Sequence, residues 1–201
     1  MFIALEGIDG SGKSTQVKLL TQKLEAEGYK VYATFEPTDS NIGKLIREIF
    51  SGKQEADHKV IAGLFVADRL NHLMNKTNGV LKMLDEGYAV IMDRYYFSSY
   101  AYQGVHMPLN WVIEANKFSA ELLRPTANIF IDISPEESMK RISKGRNSTE
   151  LYETLENLTN VRNLYMQAFE QQKAFENICF VNGERTEQEI ANDIWDLVKS
   201  L

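Results

Sequence analysis

Apolar positions in this chain fall into short runs separated by stretches of helical spacing. Phe2-Ile3-Ala4-Leu5 has the length of a buried strand, and Val17, Leu20 (with Leu19) and Leu24 then recur on a helical period. Gly28 closes that helix, and Val31-Tyr32-Ala33-Thr34-Phe35 reads as a second strand. The spacing predicts a helix over Ile42–Ile49 and a longer helical region from about His58 to Leu84. Tyr88-Ala89-Val90-Ile91-Met92 is a third strand, closed by Asp93-Arg94. A helix carrying Trp111, Ala115, Phe118 and Leu122 precedes the strand Ile129–Ile133. Ser134-Pro135-Glu136-Glu137 combines a capping serine, a first-turn proline and a glutamate three residues on, which starts a helix. Ile178-Cys179-Phe180-Val181 is one more apolar run, in which Cys179 reads as a buried strand residue. Thr186 to Glu189 then repeats the capping box before the stripe Ile190, Ile194, Leu197, Val198 and Leu201.

Strands that alternate with helices imply right-handed crossovers and helices on both faces of a parallel sheet. The expected fold is therefore a three-layer α/β/α arrangement with a five-stranded parallel sheet. Ligands of such sheets lie at the carboxyl ends of the strands. Asp9, Glu36 and Asp93 all fall at or just past such ends, which places them at one site. With 201 residues, 44% of them hydrophobic, and no linker, repeat or low-complexity tract, residues 1–201 are expected to form a single domain. The formal net charge of −6 argues against general binding to nucleic acid, so an anionic ligand must meet a local basic site. No apolar run approaches membrane-spanning length and no basic leader precedes one, so a soluble, cytoplasmic protein is expected.

Candidate chemistry begins between the first strand and the first helix. Gly7-Ile8-Asp9-Gly10-Ser11-Gly12-Lys13-Ser14-Thr15 fills the phosphate-binding pattern G-x-x-x-x-G-K-[ST] completely. Its glycines let successive backbone N–H groups turn toward phosphate oxygens, and the helix N-terminus adds partial positive charge. Lys13 is suited to the β- and γ-phosphates and Ser14 to Mg²⁺, so the pattern points to a P-loop fold that binds a nucleoside triphosphate. A dinucleotide fingerprint fails at Thr15, and a guanine-reading Asn-Lys-x-Asp is absent, Asn75-Lys76-Thr77-Asn78 being the nearest approach. Asp93 ends its strand in the manner of a Walker B carboxylate. It either acts on Mg²⁺, directly or through water, or only orients Arg94. His58, His72 and His106 lack metal-ligand spacing, so Mg²⁺ carried with ATP is the only metal expected.

Four further stretches extend the pattern. They are Ile3 to Gly10, Phe35-Glu36-Pro37-Thr38 with Ile42 to Arg47, Leu64-Phe65-Val66-Ala67-Asp68-Arg69, and the unbroken Asp93-Arg94-Tyr95-Tyr96-Phe97-Ser98-Ser99-Tyr100-Ala101-Tyr102-Gln103-Gly104. Together they make the chain similar to the thymidylate kinase family over nearly its whole length. The resemblance implies phosphorylation of dTMP by MgATP and a homodimer formed by helix packing. It implies that Phe65 stacks on thymine, although taken alone Phe65 fits a core position, and that Arg69 and Gln103 meet the base edge. Arg47 and Arg94 would grip the substrate phosphate, with Glu36 and Pro37 in the same substrate site. Asp9 would accept from the sugar 3′-hydroxyl. Tyr102 would sit where a ribose 2′-hydroxyl would be, with Tyr95 and Ser99 supporting that wall. Lys13, Asp93 and Arg94 would act in catalysis.

The resemblance also implies a short mobile lid at about 141–153 that supplies one more cation. Arg146 is the first choice, with Arg141 and Lys144 behind it; one subgroup of the family instead carries an arginine in the P-loop, where this chain has Gly10. Two familiar cations are missing. Phe35 stands where many bacterial members have arginine, and Glu150-Leu151-Tyr152-Glu153 lacks the arginine of the usual Asp-Arg-x-Glu. A kinase for another nucleoside or monophosphate, or a nucleotide sensor without turnover, are the competing readings.

Overall fold

Side chains of β1 (Phe2–Glu6) alternate between two apolar cores. Phe2 and Ala4 join Phe97, Tyr165 and Phe169, whereas Ile3 and Leu5 join Leu20, Leu24, Ile190 and Ile194. A strand buried on both faces belongs in the interior of a parallel sheet. In the computed structural model, which describes residues 1–145 and 154–201, β1 is the central strand. The sheet runs β2 (Val31–Phe35), β3 (Ala89–Asp93), β1, β4 (Ala127–Asp132), β5 (Ile178–Asn182), with every neighbouring pair parallel.

The helices are α1 (Lys13–Ala26), α2 (Asn41–Phe50), α3 (His58–Met74), α4 (Val80–Asp85), α5 (Tyr96–Tyr102), α6 (Leu109–Ala115), α7 (Lys117–Leu122), α8 (Pro135–Gly145), α9 (Leu155–Gln172) and α10 (Glu187–Lys199). The apolar faces of α1 and α10 cover the Ile3 side, and α5 and α9 cover the Phe2 side. Every residue of α5 is buried, so this short helix is enclosed by protein on all sides. Both capping predictions hold: Glu137 N–H donates to Ser134 Oγ at 3.3 Å, and Thr186 and Glu189 form a complete capping box.

Three expectations are corrected. The region from His58 to Leu84 is two helices, because Asn75 Oδ1 accepts from Thr77 N–H at 2.8 Å and diverts the chain into a turn. That turn closes at Gly79, where a Cβ would lie 2.4 Å from the Asn75 carbonyl oxygen. The helix carrying Trp111 and Phe118 likewise breaks at Asn116, into α6 and α7, with Trp111, Phe118 and Leu122 exposed. Cys179 is half-buried, because β5 is an edge strand. Among the described residues no helix is long and apolar enough to cross a membrane.

Candidate active site

The P-loop leaves β1 and turns into α1 at the centre of the sheet. Gly10 has φ +73°, and a Cβ there would lie 2.9 Å from the Ser138 carbonyl oxygen of α8. An arginine at this position, as in the other subgroup, has no room beside α8. Ser138 Oγ also donates to the Asp9 carbonyl at 2.5 Å, which ties the base of α8 to the loop.

Lys13 is buried and curls back over the loop, donating from Nζ to the carbonyls of Gly7 and Ile8 at 3.0 Å each. Burial, with the Arg94 charge adding to it, lowers the Lys13 ammonium to about 8, against the pull of Asp93, Asp9 and Glu6. A bound triphosphate favours the charged form, so its value is higher in the complex than in the free protein. Affinity for MgATP is therefore expected to be level below pH about 8 and to fall above it, approaching tenfold per unit as binding takes up one proton. Calorimetry at alkaline pH in two buffers of different ionisation enthalpy measures that uptake; no uptake would remove Lys13 from the phosphate contact.

Ser14 Oγ donates to Asp93 Oδ2 at 2.7 Å. The other oxygen, Asp93 Oδ1, is buried without a hydrogen-bond partner among the described residues. Both side chains line a cavity of about 400 Å³ together with Glu36 and Arg94. A hydroxyl and an unpartnered carboxylate oxygen are hard donors of the kind Mg²⁺ takes, so these residues fit that ion. Among the described residues no group of three or more His, Cys, Asp or Glu side chains forms a metal cluster.

Arg94 is the one non-glycine residue with a left-handed backbone among the described residues, at φ +69°. Such a conformation costs roughly 1–3 kcal/mol and persists where neighbours enforce it. Arg94 N–H donates to Leu5 O of β1 at 3.0 Å, and the next amide, Tyr95 N–H, donates to Glu6 Oε1 at 2.8 Å. Glu6 Oε2 accepts from Ser98 Oγ at 2.6 Å and from Tyr165 Oη at 2.9 Å. Burial raises the Glu6 carboxyl, opposed by these donors and by the Arg94 charge. The guanidinium so placed donates to Gly7 O at 3.3 Å and Ser98 Oγ at 3.2 Å, pairs with Asp9, and lies 4.9 Å above the Tyr102 ring. Tyr102 Oη donates to Asp9 Oδ2 at 2.8 Å and accepts from Asp9 N–H at 3.0 Å. Glu6, Ser98 and Tyr165 thus belong to the site although no reading of the sequence singled them out. The available signal was a carboxylate at the end of an otherwise apolar strand.

A second buried cluster centres on Arg69, which is 1% exposed. Its Nε donates to Glu36 Oε2 at 2.8 Å and NH2 lies 2.7 Å from the same oxygen. NH1 donates to Ser99 Oγ at 2.9 Å and to Asn116 Oδ1, and NH2 to the Tyr95 carbonyl at 3.2 Å. Four hydrogen bonds and the close ion pair with Glu36 engage the guanidinium, so a base carbonyl would have to compete with these acceptors. Tyr95 is fully buried, its ring edge-on to Phe2, and it supports the site from beneath rather than lining it. Ser99 is buried in the same layer.

Around this floor, Arg47 donates to the carbonyls of Pro37 and Thr38 at 2.7 Å each and pairs with Asp39 at 3.0 Å. Arg47 thus braces the loop after Glu36 instead of standing free on the surface of α2. Phe65 is half-buried against Phe50, with ring centroids 5.9 Å apart. Gln103 is buried, and its Oε1 has no partner among the described residues. Arg141 is held by Glu137 at 2.9 Å and by the Gly183 carbonyl at 2.8 Å, toward the β5–α10 loop. Lys144 is exposed in the last turn of α8. Arg146 and the segment through Glu153 lie outside the described residues.

A P-loop on the central strand, a paired serine and aspartate, and an arginine bridging the loop to a buried polar pocket define a P-loop phosphotransferase with an acceptor site. Residues 5–194 match the family model described as thymidylate kinase. Among curated relatives, a probable thymidylate kinase of Pyrococcus horikoshii is 42% identical, covering 98% of this chain and 95% of its own. Those of Thermococcus gammatolerans and Methanocaldococcus jannaschii are 38% and 35% identical, covering 99% and 100% of this chain and 96% and 97% of their own. The chain belongs to the thymidylate kinase family.

Proposed function

We propose that this protein transfers the γ-phosphoryl group of MgATP to dTMP, giving ADP and dTDP for DNA synthesis. The observation that carries this reading is the position of Arg94, one guanidinium shared between the Gly7 carbonyl of the P-loop and the Asp9–Tyr102 pair. Residues Gly7 to Thr15 cradle the triphosphate, with Lys13 on the transferred group. Ser14 and Asp93 hold Mg²⁺, which neutralises phosphate charge when bound. The acceptor is already an ionised phosphate, so the protein needs no strong base; it positions the two phosphates and balances the charge that develops between them. Arg94 meets both phosphates, Arg47 with Pro37 flanks the acceptor phosphate, and Arg146 completes the charge from a lid at about 141–153. Phe65 stacks on the base, the unpartnered Gln103 Oε1 suits the pyrimidine N–H, and Glu36, Arg69, Tyr95 and Ser99 shape the floor. The activity belongs to one domain spanning 1–201, in a cytoplasmic homodimer; the exposed apolar side chains Val60, Met74, Trp111 and Phe118 suit a helix-packed interface.

ADP release from MgATP with dTMP, dUMP, dCMP, UMP, AMP and thymidine tests the reading. Strong preference for dTMP supports the pocket, whereas preference for another acceptor keeps the phosphotransferase and discards the pocket. Tyr102 gives a finer check. Its phenol is pushed up chiefly by burial, so it stays neutral and holds Asp9 by donating to it. Tyr102→Ala is expected to reduce the preference for dTMP over its ribonucleotide counterpart about tenfold, because the wall beside C2′ is removed. An unchanged ratio of kcat/KM values would take Tyr102 out of sugar selection.

A further inference from the structure

His72 has no part in the reaction as described, yet it is buried against the acceptor site. Its Nδ1 lies 3.2 Å from Glu36 Oε1 and its Nε2 lies 2.8 Å from Thr34 Oγ1. We propose that His72 is a positioning residue for dTMP: it fixes the Glu36 carboxylate, and with it Arg69, beneath the base pocket. The inference rests on the reading that Glu36 and Arg69 serve that pocket.

The direction of the hydrogen bonds follows from the chemistry of the partners. An ionised carboxylate only accepts, so Nδ1 carries the hydrogen and donates to Glu36. In the neutral ring Nε2 is then the acceptor, and the Thr34 hydroxyl donates to it. The ring is held in one orientation by two groups at the carboxyl end of one strand, Thr34 on β2 and Glu36 just beyond it. The Glu36 oxygens are divided cleanly. Arg69 takes Oε2 at 2.8 Å through Nε, and His72 faces Oε1. Arg69 and His72 stand three residues apart on α3, so one face of one helix grips both oxygens. This grip matters because β2 is an edge strand, paired only with β3, and the chain leaves the sheet at Glu36. The Glu36 side chain is 2% exposed, so losing His72 strands a buried carboxylate oxygen. The carboxylate must then rotate or recruit water, and Arg69 moves with it.

On its far side His72 borders a polar cavity of about 430 Å³, lined also by Thr34, Ser40, Asn71 and Asn75. Water fills such a space readily, so truncation at His72 removes the bond without collapsing an apolar core.

The test compares His72→Ala, His72→Asn, His72→Gln and Glu36→Gln in the full-length enzyme by steady-state kinetics. His72→Ala is expected to raise KM for dTMP about tenfold, with kcat and KM for MgATP within about twofold. The asparagine amide stands where Nδ1 does, so His72→Asn is expected to restore most of the loss. Glutamine reaches the Nε2 position instead, so His72→Gln restores little. Equal losses in the asparagine and glutamine variants, or losses spread equally over kcat and KM for MgATP, overturn the proposal and leave His72 a packing residue. If His72→Ala does not fold, the asparagine–glutamine comparison alone decides. An unmoved KM for dTMP in Glu36→Gln overturns the assignment of Glu36 to the pocket, and the proposal with it. A KM that moves in Glu36→Gln but in no His72 variant overturns the proposal alone.

Discussion

Arg94→Ala is expected to lower kcat by about three orders of magnitude while changing MgATP affinity only a few-fold. Arginines that neutralise a transferring phosphoryl group contribute about 10³–10⁵ in rate, and the low end applies here because Lys13 stays in place. The Arg94 guanidinium spans Gly7 O, Ser98 Oγ and the Asp9–Tyr102 pair, a reach that needs its planar fork. Arg94→Lys is therefore expected to recover no more than about tenfold of the loss. The backbone supplies an internal control. Residue 94 sits at φ +69°, a conformation that alanine tolerates poorly and glycine freely. Arg94→Gly should be as inactive as Arg94→Ala but more stable than it by about 1 kcal/mol. Single-turnover phosphoryl transfer at saturating dTMP, with thermal melts beside it, measures both. A loss of less than about tenfold in the alanine variant removes Arg94 from the transition state.

The second large effect is expected one layer down. Glu6→Gln should cost roughly 2–4 kcal/mol of stability and lower kcat about a hundredfold, although Glu6 touches no substrate in the proposed complex. Three donors converge on its carboxylate: Tyr95 N–H, Ser98 Oγ and Tyr165 Oη. An amide of the same shape turns an N–H₂ toward one of these donors, and a buried polar group then goes without its partner. The kinetic loss follows because Tyr95 N–H is the bond that holds the chain just after the left-handed Arg94, while Ser98 also accepts from Arg94. Urea unfolding combined with kcat separates the two consequences. An unchanged unfolding free energy would show that the amide finds partners of its own, whereas full activity would show that Arg94 holds its place without Glu6.

The acceptor side shows how a candidate site divides between legible and illegible parts. The strand-end positions of Asp9, Glu36 and Asp93 are legible in the sequence; in the structure Glu36, Asp93 and Arg94 line one cavity, and Arg94 pairs with Asp9. Arg69 is 1% exposed, and its NH1 donates to Asn116 Oδ1, 47 residues on, at the break between α6 and α7, a partner that no local pattern indicates. The same break divides the single helix expected over Trp111 to Leu122, with Trp111 and Phe118 exposed.

By itself the sequence determined what depends on near neighbours. The alternating burial of β1, the glycine-shaped loop of Gly7 to Thr15, the serine and threonine caps of α8 and α10, and hence the order of strands and helices, are set by steric and hydrogen-bonding terms acting over a few residues. Only the tertiary structure decided what Glu6 and His72 do. Their partners lie 92 and 36 residues away in Ser98 and Glu36, and they meet because the sheet closes in the order β2-β3-β1-β4-β5. A buried polar side chain takes its role from whatever donors and acceptors packing brings within about 3 Å, and the chain's own local pattern carries no record of them.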